Sequence, residues 1–139
     1  MSNGTNVRKR SGSVESLDLN KMHKIVDEAC KDLAGVSASQ VEINSGIQFY
    51  DGITTAEIQE ILIKSASDLI ELESPNYQFV AARLLLFGVR KKLWGRIHEA
   101  PSLGNHITKC IREGVYDPHF TSKYTDQEID ELDSYIDHD

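Results

Sequence analysis

The chain has 139 residues, of which 40% are hydrophobic, so it is long and apolar enough to form one domain with or without an appendage. It has no apolar run of 18 residues and no apolar segment behind its polar first residues, which predicts neither a membrane span nor a secretory signal. The net charge of -7 arises entirely in residues 115–139, which hold one Lys and eight acids, whereas residues 1–114 hold 14 basic and 14 acidic side chains. A charge-balanced body argues against general nucleic-acid binding.

The first predicted element is a β-hairpin, with strands at residues 6–10 and 14–17 around the turn at residues 11–13. Cations on a hairpin suit a polyphosphate, and a carboxylate across it can accept a hydrogen bond from the exocyclic amine of adenine. The pattern therefore indicates a nucleotide lid. The first strand carries three adjacent cations and the second one carboxylate: Arg8, Lys9, Arg10 and Glu15.

Two helices and a short aromatic segment follow. Asp18 is a plausible N-cap for helix 1, predicted over residues 20–33 from one apolar face. Ser37 and Gln40 have the spacing of a capping box, which predicts helix 2 over residues 38–44. Residues 48–52 are predicted as an extended connection or third strand. Cys30 and Cys110 lie far apart in helical patterns, which predicts reduced thiols in a cytoplasmic protein and no metal site.

Four more helices are predicted. Thr54 and Glu57 form a capping-box pattern before helix 3, residues 55–72. Ser74-Pro75 indicates the start of helix 4, residues 75–94, whose middle is apolar nearly all round and is therefore expected at the centre of a bundle. Helix 5 is predicted over 103–113 and helix 6 over 126–136. The apolar face of helix 5 is expected to remain free for a missing partner: Leu103, Ile107, Cys110 and Ile111.

These elements predict a triphosphate site at one end of the bundle. Thr55 lies at the start of helix 3, where free N–H groups and the helix dipole favour anions. If helices 3 and 4 pack antiparallel, Lys91 at the end of helix 4 should lie near Thr55, although 36 positions separate them. Lys9 and Arg10 from the hairpin would complete the set.

Each of these residues also has a simpler explanation. The basic run could be an exposed edge that discourages strand pairing. Thr55 could be only a helix cap, Lys91 only a cation that compensates the helix dipole, and Glu15 only a solvated acid. The five histidines have no Ser or Cys partner at triad-like spacing, so packing or surface roles are their default.

The motifs along nearly the whole chain resemble those of the N-terminal portion of the large, catalytic subunit of class I ribonucleotide reductase, of the bacterial and phage type. Residues 1–95 resemble its ATP-cone domain, and residues 96–139 resemble the helical segment that leads into the catalytic barrel. The matching motifs are Val7-x-Lys9-Arg10-x-Gly12-Ser13-x-Glu15, Leu19-x-Lys21-x-His23, Gln48-Phe49-Tyr50-Asp51-Gly52-Ile53-x-Thr55, Ala81-Ala82-Arg83-Leu84, Arg90-Lys91-Lys92, Tyr116-Asp117, Tyr124-Thr125 and Ile136-Asp137-His138-Asp139.

The resemblance implies an α+β fold, mostly α, in which a small hairpin or three-stranded sheet caps a four-helix bundle and two further helices follow. It implies an allosteric site for ATP or dATP, with Mg²⁺, and phosphate contacts from Lys9, Arg10, Lys91 and Thr55. Gln59 stands where relatives often carry a His beside the ribose, and Asp18 where bacterial relatives often carry Asn, which puts inhibition by dATP in doubt. The remaining implied nucleotide contacts are Glu15 and Asp18 at the base, with Val7, Lys21 and Met22 lining the site.

The resemblance also implies what the chain does not do alone. The family's radical cysteine and redox cysteine pair lie in a barrel beyond these residues, so the chain is expected to be a non-catalytic fragment of a cytoplasmic enzyme. Its implied partners are the rest of the large subunit and the radical-generating small subunit, with no nucleic acid or membrane. The alternative is a degenerate cone that binds no nucleotide and acts as an interaction module. The cone-containing transcriptional repressor is rejected because its four-cysteine zinc ribbon is absent from the sequence.

Overall fold

The computed structural model describes residues 4–138, and the chain divides into two compact units, Met1–Val89 and Arg90–Asp139. The described residues confirm a mostly helical α+β fold with one small sheet. None of their helices is long and apolar enough to cross a membrane. The elements in chain order are β1 (Asn6–Arg8), β2 (Val14–Ser16), α1 (Leu19–Cys30), α2 (Ala38–Gly46), β3 (Ile53–Thr54), α3 (Thr55–Asp68), α4 (Tyr77–Trp94), α5 (Leu103–Arg112), α6 (Phe120–Lys123) and α7 (Asp126–Asp133).

The sheet has the strand order β2-β1-β3. The predicted hairpin is confirmed: β1 and β2 pair antiparallel with Val7 opposite Glu15, and the amide of Lys9 donates to the Ser13 carbonyl at 2.8 Å. The first strand is shorter than predicted, because β1 ends at Arg8 and Lys9 and Arg10 lie in the connection to β2. The third strand begins at Ile53, just after the predicted segment, and pairs parallel to β1. None of residues 48–52 lies in a strand: Gln48, Asp51 and Gly52 are in turns, and the amides of Gln48 and Phe49 still bond to carbonyls of α2.

The core of the first unit lies beneath this sheet, between helices α1 to α4. Helix α1 is shorter than predicted, because Arg83 Nη1 of α4 donates to the carbonyls of Ala29 (3.1 Å) and Lys31 (2.6 Å) and so satisfies its last turn. The side chains with no more than 2% exposure are Val26, Ala29, Val41, Ser45, Ile53, Leu62, Ser65, Ala66, Val80 and Leu84.

Helix α4 differs from the prediction in two ways. It begins at Tyr77, two residues later than predicted, and the amide of Ser74 donates back to the Glu71 carbonyl at 3.1 Å. Its expected place at the centre of a bundle is wrong, since one face is buried while Phe79, Leu86 and other apolar residues of the opposite face are 45–57% exposed. The apolar residues all round this helix therefore do not mean that it lies at the centre of a bundle.

The second unit pairs α5 with α7. Ile107 and Cys110 of α5 and Ile129 of α7 are each less than 9% exposed. The expected free face of α5 is therefore wrong, because α7 already covers its central residues. Asp133 of α7 accepts the Leu103 amide at 2.8 Å and so joins the start of α5 to the end of α7.

Candidate functional site

The parallel pairing of β1 and β3 brings two predicted phosphate-binding segments to one end of the sheet. Arg8 lies opposite Thr54 in the register. The next residue on the first strand is Lys9, and the next on the third is Thr55, the first residue of α3. A lysine on the hairpin and the N-terminus of a 14-residue helix therefore leave the sheet side by side. Positive charge and the N-terminus of a helix are the two features that suit a phosphate group.

The hairpin joins Lys9 to Glu15. Lys9 Nζ lies 2.7 Å from Glu15 Oε2, and the two side chains remain 42% and 54% exposed. Arg10 lies exposed in the turn. An ion pair this exposed contributes little to stability, so Lys9 can exchange Glu15 for another anionic partner without a large penalty.

Thr54, and not Thr55, caps helix α3. Thr54 Oγ1 accepts from the Glu57 amide at 3.2 Å, and Glu57 Oε2 accepts from the Thr54 amide at 2.8 Å, which completes the predicted capping box. The simpler explanation of Thr55 as the cap is therefore wrong. The amides of Thr55 and Ala56 lie outside the capping box, at the positive end of the helix dipole.

Glu57 is held as a carboxylate. Tyr50 Oη donates to Glu57 Oε1 at 2.7 Å, and Thr54 donates from both its amide and its hydroxyl to Oε2. The Tyr50 bond, followed by the bonds from Thr54, lowers the pKa of Glu57 from 4.5 to about 2. The Thr54–Glu57 spacing is visible in the sequence. The role of Tyr50 was not predicted, because its bond across seven residues depends on the turn at Gly52, whose φ is 84°.

Three of the residues predicted to contact the adenine base or to line the site lie at the start of helix α1: Asp18, Lys21 and Met22. Asp18 is its N-cap, and Oδ1 accepts from the Lys21 amide at 3.1 Å. Asp18 and Lys21 are exposed, whereas Met22 is 9% exposed and lies at the edge of an open groove of about 390 Å³ between the hairpin, α1 and α2. The apolar side chains of this groove include Leu17, Leu19, Ile43 and Phe49.

The positions of three predicted site residues give no direct support for a contact with a nucleotide. Val7 lies at the centre of the sheet with 5% exposure, so its side chain belongs to the core. Gln59 is part-buried and its Nε2 donates to the carbonyl of Leu84 in α4. Lys91 lies in the last turn of α4, in the second unit, and its expected position near Thr55 stays a prediction. No group of three or more His, Cys, Asp or Glu side chains within residues 4–138 could hold a metal ion.

Comparison with known proteins assigns the chain to a domain family. A family model described as the ATP cone domain matches residues 5–92. The chain is 48% identical over 133 residues to a protein of Escherichia coli K12 named ribonucleoside-diphosphate reductase 1 subunit alpha, which covers 96% of this chain and 17% of that protein. It is 42% identical over 136 residues to the alpha subunit of Enterobacteria phage T4, and 46% identical over 89 residues to that of Helicobacter pylori, which cover 96% and 64% of this chain. The chain spans less than a fifth of the length of these relatives.

Proposed function

The chain belongs to the ATP-cone family, and from this membership we propose that it is the allosteric ATP- or dATP-binding regulatory region of a ribonucleotide reductase large subunit. We assign residues 1–95 to the cone and residues 96–139 to a helical segment leading into the catalytic part. The complete enzyme would reduce ribonucleoside diphosphates, the reaction named for the relatives. This chain would contribute regulation and no chemistry.

The observation that carries the proposal is the register of β1 against β3. It sets Lys9 beside the first residue of α3, and so joins a hairpin cation to a helix N-terminus. Either feature alone is common on protein surfaces. Together, in a chain of this family, they support binding of a triphosphate, with Arg10 as a second cation and Thr55 as a hydroxyl donor.

The Lys9–Glu15 pair also supports a simple binding mechanism. Lys9 and Glu15 neutralise each other at 2.7 Å. On binding, Lys9 would turn to the phosphates. The released Glu15 carboxylate would then accept a hydrogen bond from the exocyclic amine of adenine. Asp18 would keep Oδ1 on the Lys21 amide and present its second oxygen to the base. Lys21 and Met22 would line the site, Lys91 would add a phosphate contact, and Mg²⁺ bound to the triphosphate would reduce its charge.

The rest of the large subunit and the radical-generating small subunit are the proposed partners, in the cytoplasm of a bacterium or a phage-infected cell. A degenerate cone that serves only as an interaction module is the second candidate. One observation favours it: the amide nitrogen of Gln59, expected near the ribose, already bonds to the Leu84 carbonyl. The half-exposed Lys9 and Glu15 favour the nucleotide-binding candidate.

Calorimetric titration of the chain with Mg-ATP and Mg-dATP tests the proposal. We expect one binding event that Lys9→Ala weakens and Lys24→Ala does not, because Lys24 is an exposed lysine further along α1. If neither nucleotide gives a heat of binding, the result would favour the degenerate cone. Equal weakening by both variants would show a general effect of charge and refute the assignment of Lys9.

A further inference from the structure

The side chain of Gln59 lies across helix α4 at a glycine. Its Nε2 donates to the carbonyl of Leu84, one turn before Gly88 on the same helix. A Cβ atom added at Gly88 would lie 3.1 Å from Gln59 Nε2 and 3.3 Å from its Cδ and Cγ. These distances are shorter than ordinary contacts, so the missing side chain at position 88 makes the space that Gln59 occupies.

This contact joins α3 to α4 through the backbone of α4. A carbonyl oxygen has two lone pairs, so Leu84 can accept from Gln59 in addition to its own helical partner. The donor is a side-chain amide on a stem with three torsions, and the stem is restrained because it packs against the bare helix backbone at Gly88. The contact therefore depends on both residues: without Gln59 the space at Gly88 is unfilled, and with a larger residue at position 88 the side chain of Gln59 no longer fits.

The pair also bears on the candidate site, because Gln59 follows Thr55 by four residues. Residues four apart lie on the same face of a helix, one turn from each other. A bond at Gln59 therefore fixes the rotation of the first turns of α3 relative to α4, and with it the direction of the Thr55 hydroxyl and amide. One N–H of the Nε2 group is used to hold α4, and the close packing at Gly88 restrains the rest of the side chain, so Gln59 is not free to turn toward a sugar.

We propose that Gln59 is a positioning residue, which sets nucleotide affinity by fixing α3 against α4 at Gly88 and does not read the ribose. The inference rests on the proposed function, since it concerns the same site. It predicts that ATP and dATP bind with nearly equal affinity. It also predicts that a change at Gly88, which the family resemblance does not assign to the site, weakens both nucleotides.

The experiment compares Gln59→Ala, Gly88→Ala and the double variant by calorimetry with Mg-ATP and Mg-dATP. Each single variant should weaken both nucleotides by the same factor, roughly 2- to 12-fold for one neutral hydrogen bond. The ratio of the two affinities should not change. A changed ratio in Gln59→Ala, together with parent-like affinities in Gly88→Ala, would show that Gln59 reads the sugar and would overturn the proposal.

Thermal unfolding without nucleotide separates this proposal from the proposed function. Alanine is the better helix former, so Gly88→Ala should raise the melting temperature once Gln59 is alanine, and lower it while Gln59 is present. Gly46→Ala is the matched control, since nothing lies within 4 Å of a Cβ at that helical glycine, and its effect should be the same with and without Gln59. If the parent chain binds no nucleotide, the proposed function fails, while this cycle still decides whether Gln59 holds α4. A melting temperature raised by Gly88→Ala in both backgrounds would refute the contact.

Discussion

The sharpest prediction concerns the exchange of partners at Lys9. In Lys9→Ala the triphosphate loses one charge-assisted hydrogen bond, which contributes about 1.5–3 kcal/mol. The parent must first break the Lys9–Glu15 pair, and the exposure of both side chains limits that pair to about 0–1 kcal/mol. The difference leaves a net loss of about 0.5–3 kcal/mol, so ATP affinity should fall by roughly 2- to 150-fold.

Glu15→Gln makes the prediction specific to an exchange. Glutamine keeps the size of the side chain and an oxygen acceptor for adenine but removes the charge that competes for Lys9. Inorganic tripolyphosphate, which has no base, should therefore bind Glu15→Gln up to roughly fivefold more tightly than the parent. The same substitution in a Lys9→Ala background should give a smaller gain, because the pair no longer exists.

Calorimetry of the four proteins with ATP and with tripolyphosphate completes the cycle. The salt concentration must be held constant, since screening weakens exposed charges. The same gain from Glu15→Gln with and without Lys9 would mean that Glu15 repels phosphate directly. Unchanged ATP affinity in Lys9→Ala would remove this lysine from the phosphate site.

Three further predictions concern stability and activity. Because the pKa of Glu57 is about 2 in the fold and 4.5 in an unfolded chain, its contribution to stability is complete above pH 4.5 and is lost as the pH falls toward 2. Tyr50→Phe removes the largest cause, so the pKa of Glu57 in the fold should rise toward 4.5. Melting curves against pH should then show a smaller loss that is already complete at a higher pH, and a parent-like acid profile would contradict the assignment. In urea titrations, Arg83→Ala should lower the free energy of unfolding by about 1.5 kcal/mol, which is the low end for a charged donor because one of its acceptors is exposed. The control Lys64→Ala removes an exposed ion pair with Asp68 and should lower it by about 0.5 kcal/mol or less. The chain alone should show no turnover in an assay of nucleoside diphosphate reduction, with or without a radical-generating subunit, and any turnover would overturn the purely regulatory assignment.

The helix starts show how much local sequence can determine. Asp18, Ser37, Thr54, Ser102 and Thr125 each accept the amide three residues later. These bonds form within one turn, so the residue type and its spacing predict them. Ser37 departs in one respect: its own amide donates to Tyr77 Oη at 3.0 Å, where the predicted capping box required Gln40. A partner forty residues away replaced the local one.

The ends of elements depended on distant partners. Arg83 satisfies carbonyls at the end of α1 from more than fifty positions away, and Asn6 bonds to Asp51 and Gly52, so that the third strand begins only at Ile53. A periodic pattern contains no information about such contacts. The same limit applies to the apolar face of α5, whose partner on α7 lies beyond a turn and a short helix.

For the candidate site, the sequence by itself determined the residue types: three cations on a hairpin, a carboxylate opposite them and a capped helix start. Those features are local, and the family resemblance rests on their order. Only the tertiary structure decided that β3 pairs parallel to β1 and so sets Lys9 beside Thr55, that Lys9 bonds to Glu15, and that Gln59 turns to the backbone of α4. Strand register and side-chain direction are fixed by packing between elements far apart in the chain, and a pattern of single residues cannot specify them.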